Sequence, residues 1–327
     1  MIFKCKSCGA NILWSPEKGS MRCPHCDSLD TEEMVQGEGM AQCVSCGAPI
    51  QPGQYDSATK CQHCGAYMIF DQRISGELRP HLILPFKIGK EQAKEIIKKE
   101  FGKKLFVPGA FLREASLDKM EGDYIPFFLY DYHCRYRFSA KAKKVRRWTT
   151  GDTEYTETSI YQIFRDMETN FSRIPADASI AMPDDEMDLL EPYEYGDMTS
   201  FDPKYMSGFL GEMYSIDKET LEPRARKKAR NDAVSLMKES ISGYSSVTPE
   251  TDDLRADLTA ENYALLPVWD YVFRFKQKDY HFRLNGQTGK LVGRAPISTA
   301  KMAAYGATLF ACITAIGYLL NGILGGI

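Results

Sequence analysis

Eight of the ten cysteines fall within the first 64 residues, as the pairs Cys5/Cys8, Cys23/Cys26, Cys43/Cys46 and Cys61/Cys64. Two residues between cysteines let one tight knuckle turn both sulfurs toward one ion. Two knuckles complete a tetrahedral thiolate shell, and soft sulfur favours Zn(II). Fourteen residues separate the two pairs of each half, and every cysteine of the second half lies 38 residues after its counterpart. The flanks repeat too, CKSCGANI against CVSCGAPI, so the module is duplicated. The repeat favours two structural zinc ions, one on Cys5/Cys8/Cys23/Cys26 and one on Cys43/Cys46/Cys61/Cys64. The sixteen residues between Cys26 and Cys43 also permit a middle pairing, so reach alone leaves the pairing open. His25 and His63 sit inside knuckles and are surplus to a filled four-sulfur shell. Gly9, Asp27, Gly47 and Gly65 follow the last cysteine of each knuckle, where a left-handed backbone is expected.

Thiolate ligands require a reducing compartment, and the N-terminus carries no apolar run long enough for a secretory signal. At the other end, residues 302–327 are 26 residues without a charge. As a helix they would reach roughly 39 Å, against a hydrocarbon core of about 30 Å. A single transmembrane helix is expected there. Lys290, Arg294 and Lys301 precede it, so the body should face the cytoplasm, as a tail-anchored, single-pass protein of the cell membrane.

The elements that must position these features lie between. The 327 residues are 43% hydrophobic and 26% charged, with a net charge of −3. That excludes a chain-wide polycation for nucleic acid. Residues 1–70 hold five basic and seven acidic side chains. With two tetrathiolate zinc sites their charge is about −6, so the counterion-release force for binding phosphates is missing. The reading is of zinc ribbons at 1–36 and 37–72, an α+β domain at 80–296 and the membrane helix at 302–327. Within the α+β domain, strands are expected at 81–86, 124–140, 153–168 and 264–293, and helices at 90–101 and from Pro223 to about Ile241. Asp131 and Asp270 are a possible carboxylate pair, with strand-end hydrogen bonding as the plainer role. His133 and Cys134 are adjacent, so a strand would turn them to opposite faces. Two basic clusters, 141–147 and 224–230, and an acidic stretch, 174–203, are expected to be solvated or to meet lipid or a basic partner. No phosphate-binding loop, dinucleotide fingerprint or nucleophile elbow is present, and no enzyme activity is expected.

Six segments, GELRPHLILPFKI (76–88), LFVPGAF (105–111), GDYIPFFLYD (122–131), FDPKYMSGFL (201–210), YALLPVWDY (263–271) and FRLNGQTGKLVG (282–293), together with the cysteines, resemble the bacterial YdjG-like zinc-ribbon membrane proteins. Their cysteines are often described as a TFIIB-type or primosomal-protein-N′-like zinc ribbon. The resemblance implies association with SPFH-domain and phage-shock-protein-A-like proteins. The expected function is therefore a membrane-tethered adaptor for such an assembly, with a protein partner and no small-molecule substrate. A membrane-tethered nucleic-acid-binding protein is the alternative, and an unrecognised hydrolase in the middle domain a third reading.

Overall fold

The computed structural model describes residues 1–37 and 39–324, with side chains described through residue 318. The N-terminal region contains β1 (Ile2–Cys5), β2 (Leu13–Ser15), β3 (Ser20–Arg22), β4 (Glu32–Val35), β5 (Asp56–Lys60) and β6 (Tyr67–Ile69). There follow β7 (Leu82–Ile83), α1 (Lys90–Gly102), α2 (Glu114–Leu117), β8 (Glu121–Thr150), β9 (Thr153–Asp177), α3 (Asp184–Leu190), β10 (Thr199–Ser200) and β11 (Leu210–Glu212). The chain continues with α4 (Lys218–Ser240), β12 (Ser246–Phe275), β13 (Lys278–Asn285), β14 (Leu291–Gly293) and α5 (Thr299–Leu324).

One sheet organises the body. Its order is β10-β7-β12-β8-β11-β5-β6, with β9 beside β8, and β13 and β14 continuing from β12. Most pairs are antiparallel, but β11–β8 and β12–β7 are parallel. The central partners are β8 and β12: Tyr263 faces Phe128 and Asp270 faces Glu121. Tyr124, Tyr130, Tyr132 and Cys134 point to one face, into the main core. Ile125, Phe127 and Leu129 point to the other, where Met187, Leu190 and Tyr193 cover them. That alternation is the period-two signature of a strand buried on both faces.

The sequence understates three elements. β8 and β12 each run for 30 residues, and β9 for 25. Beyond the body they form a three-stranded arm, β9-β8-β12, closed at its far end by the turn at Gly151. From Phe127 to Thr150 is 23 steps, roughly 75 Å of strand. Helix α4 lies along the inner part of this arm and buries Ala225, Ala229, Ala233 and Met237 against it. The helix begins five residues before Pro223, after Asp217, so the proline lies inside it rather than at its first turn.

The acidic stretch and the second basic cluster find each other. Arg224 meets Asp177 at 2.7 Å, Asp184 at 3.0 Å and Asp188 at 2.7 Å. Lys228 meets Asp188 at 2.7 Å and Glu191 at 2.8 Å. The partner of this acidic segment is the chain's own α4. Asp177 is wholly buried, and burial pushes its carboxyl up despite Arg224. Arg224→Met should therefore cost about 3 kcal/mol, the lower end for breaking a buried pair, because Asp177 can take up a proton. Losing the arginine raises the folded-state pKa further above the unfolded one. The variant's stability then falls as pH rises between those two values. Urea unfolding of the detergent-solubilised chain at pH 5.5 and pH 8 should show the larger deficit at pH 8.

Candidate metal centres

Each cysteine pair opens on a strand or bridge and closes on one repeated turn. The N–H of Gly9 donates to Cys5 O at 2.8 Å, that of Asp27 to Cys23 O at 3.0 Å, and those of Gly47 and Gly65 to Cys43 O and Cys61 O at 2.8 Å. All four turn residues have positive φ, 76° at Gly9, 58° at Asp27 and 74° at Gly47 and Gly65. A β-carbon is costly there except in Asp or Asn, which is why three are glycine. Asp27 is further held by Arg22, 2.7 Å away.

The knuckles bring the sulfurs together in the two groups the repeat favours. Cys5, Cys8, Cys23 and Cys26 form one, and Cys43, Cys46, Cys61 and Cys64 the other, with every Sγ of a group within 4.8 Å of the rest. No middle pairing occurs. Sulfur separations are 3.7 Å for Cys5–Cys26, 3.5 Å for Cys8–Cys23, 3.7 Å for Cys43–Cys64 and 3.9 Å for Cys46–Cys61. A tetrahedron with metal–sulfur bonds of about 2.3 Å has edges of about 3.8 Å. A disulfide would need about 2.05 Å. The first cysteine of each knuckle is buried and the second exposed, so each shell has one side in the protein and one in solvent.

The electrostatics point the same way. The Thr31 hydroxyl, with the N–H groups of Cys8 and Ser7, lowers Cys5 to about 6. The N–H groups of Cys64 and His63 lower Cys61 to about 6. The hydroxyl of Ser28, 3.1 Å from its sulfur, lowers Cys26. Cys8 and Cys46 move up to about 12: the N–H of Ala10 or Ala48 favours each thiolate, but burial and the surrounding sulfurs outweigh it. Four sulfurs this close ionise together only around a cation. By donor set and geometry these are two zinc-type metal sites.

Both sites are built into the body. Cys5, Ile12, Met21 and Cys23 share the core of Phe86 and Tyr124. Trp14 packs edge-on against Tyr205 at 4.6 Å and donates to Phe86 O at 3.3 Å. Ser207 Oγ donates to Ile12 O at 2.7 Å. The segment 201–210, singled out in the sequence, is thus the cradle of the first cysteine group. In the second group, β5 and the edge strand β6 form one side of the main sheet, reached through β11. The apolar residues around the first group complete the body's core.

The other marked residues do no joint chemistry. Asp131 faces Ala260, and its carboxylate accepts the N–H of Arg173 at 2.6 Å. Asp270 faces Glu121 and Arg283, so the two aspartates are not a pair. His133 lies on the open face, 2.8 Å from both Asn170 and Glu168, while Cys134 is buried on the other. A further buried carboxyl, Asp123, is pushed well above the usual range by burial and by Glu212, Asp270 and Asp56.

No family model matches the chain, and no solved structure matches it. A curated relative does. The chain is 36% identical over 315 residues to the Bacillus subtilis (strain 168) protein YdjG, described as uncharacterized. That alignment covers 93% of this chain and 92% of the relative. The identity and near-complete mutual coverage establish that the chain belongs to the YdjG family.

Proposed function

We propose that this protein is a membrane-tethered adaptor: two structural zinc ribbons and an α+β body held at the cytoplasmic face by α5, docking a membrane-associated protein assembly. The observation that carries the reading is α5. It is the one helix among the described residues long and apolar enough to cross a bilayer, and none of its apolar stretch is buried. Phe310, Ile313 and Tyr318 are 73%, 65% and 81% exposed. A helix apolar on every face needs an apolar solvent. Lys290, Arg294 and Lys301 at its entry favour a cytoplasmic body.

Closed tetrathiolate shells leave no coordination position for substrate, which supports a structural role for the zinc ions. The arm is the part suited to reach a partner. α5 is anchored beside the β12–β13 turn, where Lys276 Nζ donates to Thr299 Oγ1 at 2.8 Å, and the arm tip lies at the opposite end of the strand ladder. The tip carries an exposed stacked pair, Trp148 and Tyr155 at 5.6 Å, with Arg146 over the indole. Trp, Tyr and Arg are the usual anchors of protein interfaces. The class of partner we propose, an SPFH-domain or phage-shock-protein-A-like protein, is the one the resemblance implies. Affinity purification from detergent-solubilised native membranes should recover such a protein with the full chain, and at least tenfold less with Trp148→Ala/Tyr155→Ala. A full chain that captures no partner under crosslinking overturns the adaptor reading.

A further inference from the structure

The arm has two free edges, and they are built differently. Along β12 the edge carries Pro249, bulges at 249–251 and 258–260, and the run Asp252, Asp253, Arg255, Asp257. Proline, bulges and charge are the devices that stop a strand edge from pairing. Along the arm portion of β9, from Thr153 to Phe171, neither of the first two operates. From Thr153 to Phe171 there is no proline, glycine or lysine, and the pairing with β8 runs without a register break. The edge instead shows Phe164 and Ile160 on the open face of the sheet, 70% and 69% exposed.

We propose that β9 pairs antiparallel with β9 of a second copy of this chain, about a two-fold axis at Gln162, joining two arms into one six-stranded sheet. The register follows from the side chains. Opposite residues of an antiparallel pair share a face, and like charges directly opposite repel. With the axis at Gln162, Ile160 of each copy faces Phe164 of the other, and Tyr161 faces Ile163. Every charged residue of the segment then meets an uncharged one: Glu154 meets Asn170, Glu157 meets Met167, Arg165 meets Ser159, Asp166 meets Thr158 and Glu168 meets Thr156. An axis one residue nearer the tip sets Glu154 against Glu168, and two residues nearer sets it against Asp166. An axis one residue farther away sets Ile160 against Asp166. One register therefore covers both exposed apolar side chains without opposing like charges. The contact is isologous and closes as a dimer. It uses no zinc and no membrane, and does not rest on the adaptor reading.

The test is the mass of the full chain in detergent by light scattering, from about 1 to 50 µM, for four proteins. The unaltered chain should show a protein mass twice 37.0 kDa. Phe164→Glu alone and Ile160→Lys alone should each weaken the dimer at least tenfold. Within one chain positions 160 and 164 lie about 13 Å apart, too far to pair. The double variant sets opposite charges across the seam at both contacts, and should regain the dimer. A monomer for the unaltered chain overturns the proposal. So does a dimer that neither single variant weakens, which would place the contact elsewhere, or a double variant no better than the singles, which would refute the register.

Discussion

Elemental analysis of the purified chain should give close to two zinc ions, and Cys61→Ser should leave close to one. The lost ion belongs to the second site, because the sulfurs of the two groups are disjoint. The larger effect should fall on the body. Cys61 is buried with Ile2, Cys43, Met68 and Phe70. The strand that leads into it, β5, pairs with β11, and β11 with central β8. A serine in place of the thiolate leaves three sulfurs, which hold zinc poorly, and frees a hairpin that forms one side of the main sheet. Structural zinc contributes binding energy directly to folding, on the order of 10 kcal/mol for isolated fingers. Here packing would retain part of it, so a loss of a few kcal/mol is expected. At 2–4 °C per kcal/mol for a domain of this size, the body should melt roughly 10 °C lower. Circular dichroism of the arm and body strands is the measurement. An unchanged melting temperature with half the zinc would mean the second ribbon folds apart from the sheet. Loss of both ions would mean the two sites fold as one unit.

The metal sites were legible because their geometry is short-range. A Cys-x-x-Cys knuckle is fixed by four residues, and the left-handed turn at Gly9, Gly47, Gly65 and Asp27 is fixed by the residue there. α1 was legible for the same reason: Ala93, Ile97 and Phe101 recur at helical spacing and are buried. The arm was not. From Ser246 to Asn262, β12 is mostly polar because one face of it meets solvent and the other only the flank of α4. The outer part of β8 reads as a basic cluster for the same reason. Arg135 and Arg137 are strand residues whose partners, Asp257 and Asp166, come from neighbouring strands more than a hundred and almost thirty residues away. Alternation of apolar and polar residues signals a strand only where one face is buried in a core. The docking of the cysteine groups was hidden by distance as well. Nothing local to Trp14 shows that Tyr205 and Phe86 will close over it.

A chain ending at Ser298 should leave carbonate-washed membranes, while the full chain stays in the pellet. The body should survive that truncation. Among the described residues α5 touches it only through its first turns, where Lys301 Nζ donates to Val107 O at 2.8 Å and Tyr305 meets Phe106 at 5.7 Å. From residue 306 to residue 318 the helix buries nothing in the body, and Leu309, Phe310, Ile313 and Ile316 are all exposed. Two environments satisfy such a helix, a bilayer or the apolar surface of another protein, and Ile313→Arg separates them. Near the middle of a membrane span, arginine costs about 2.5–3.5 kcal/mol in place of an isoleucine that favours insertion by about 0.3–0.6. The remaining apolar residues must absorb that, so membrane retention should drop severalfold without vanishing. If the helix were covered by protein in water, carbonate would release the full chain and the substitution would leave its fractionation unchanged. Residues 325–327 of the expected span lie outside the described residues. Past the turns that touch the body, the helix from residue 306 to its described end at Leu324 reaches about 28 Å, close to the bilayer's hydrocarbon thickness of about 30 Å.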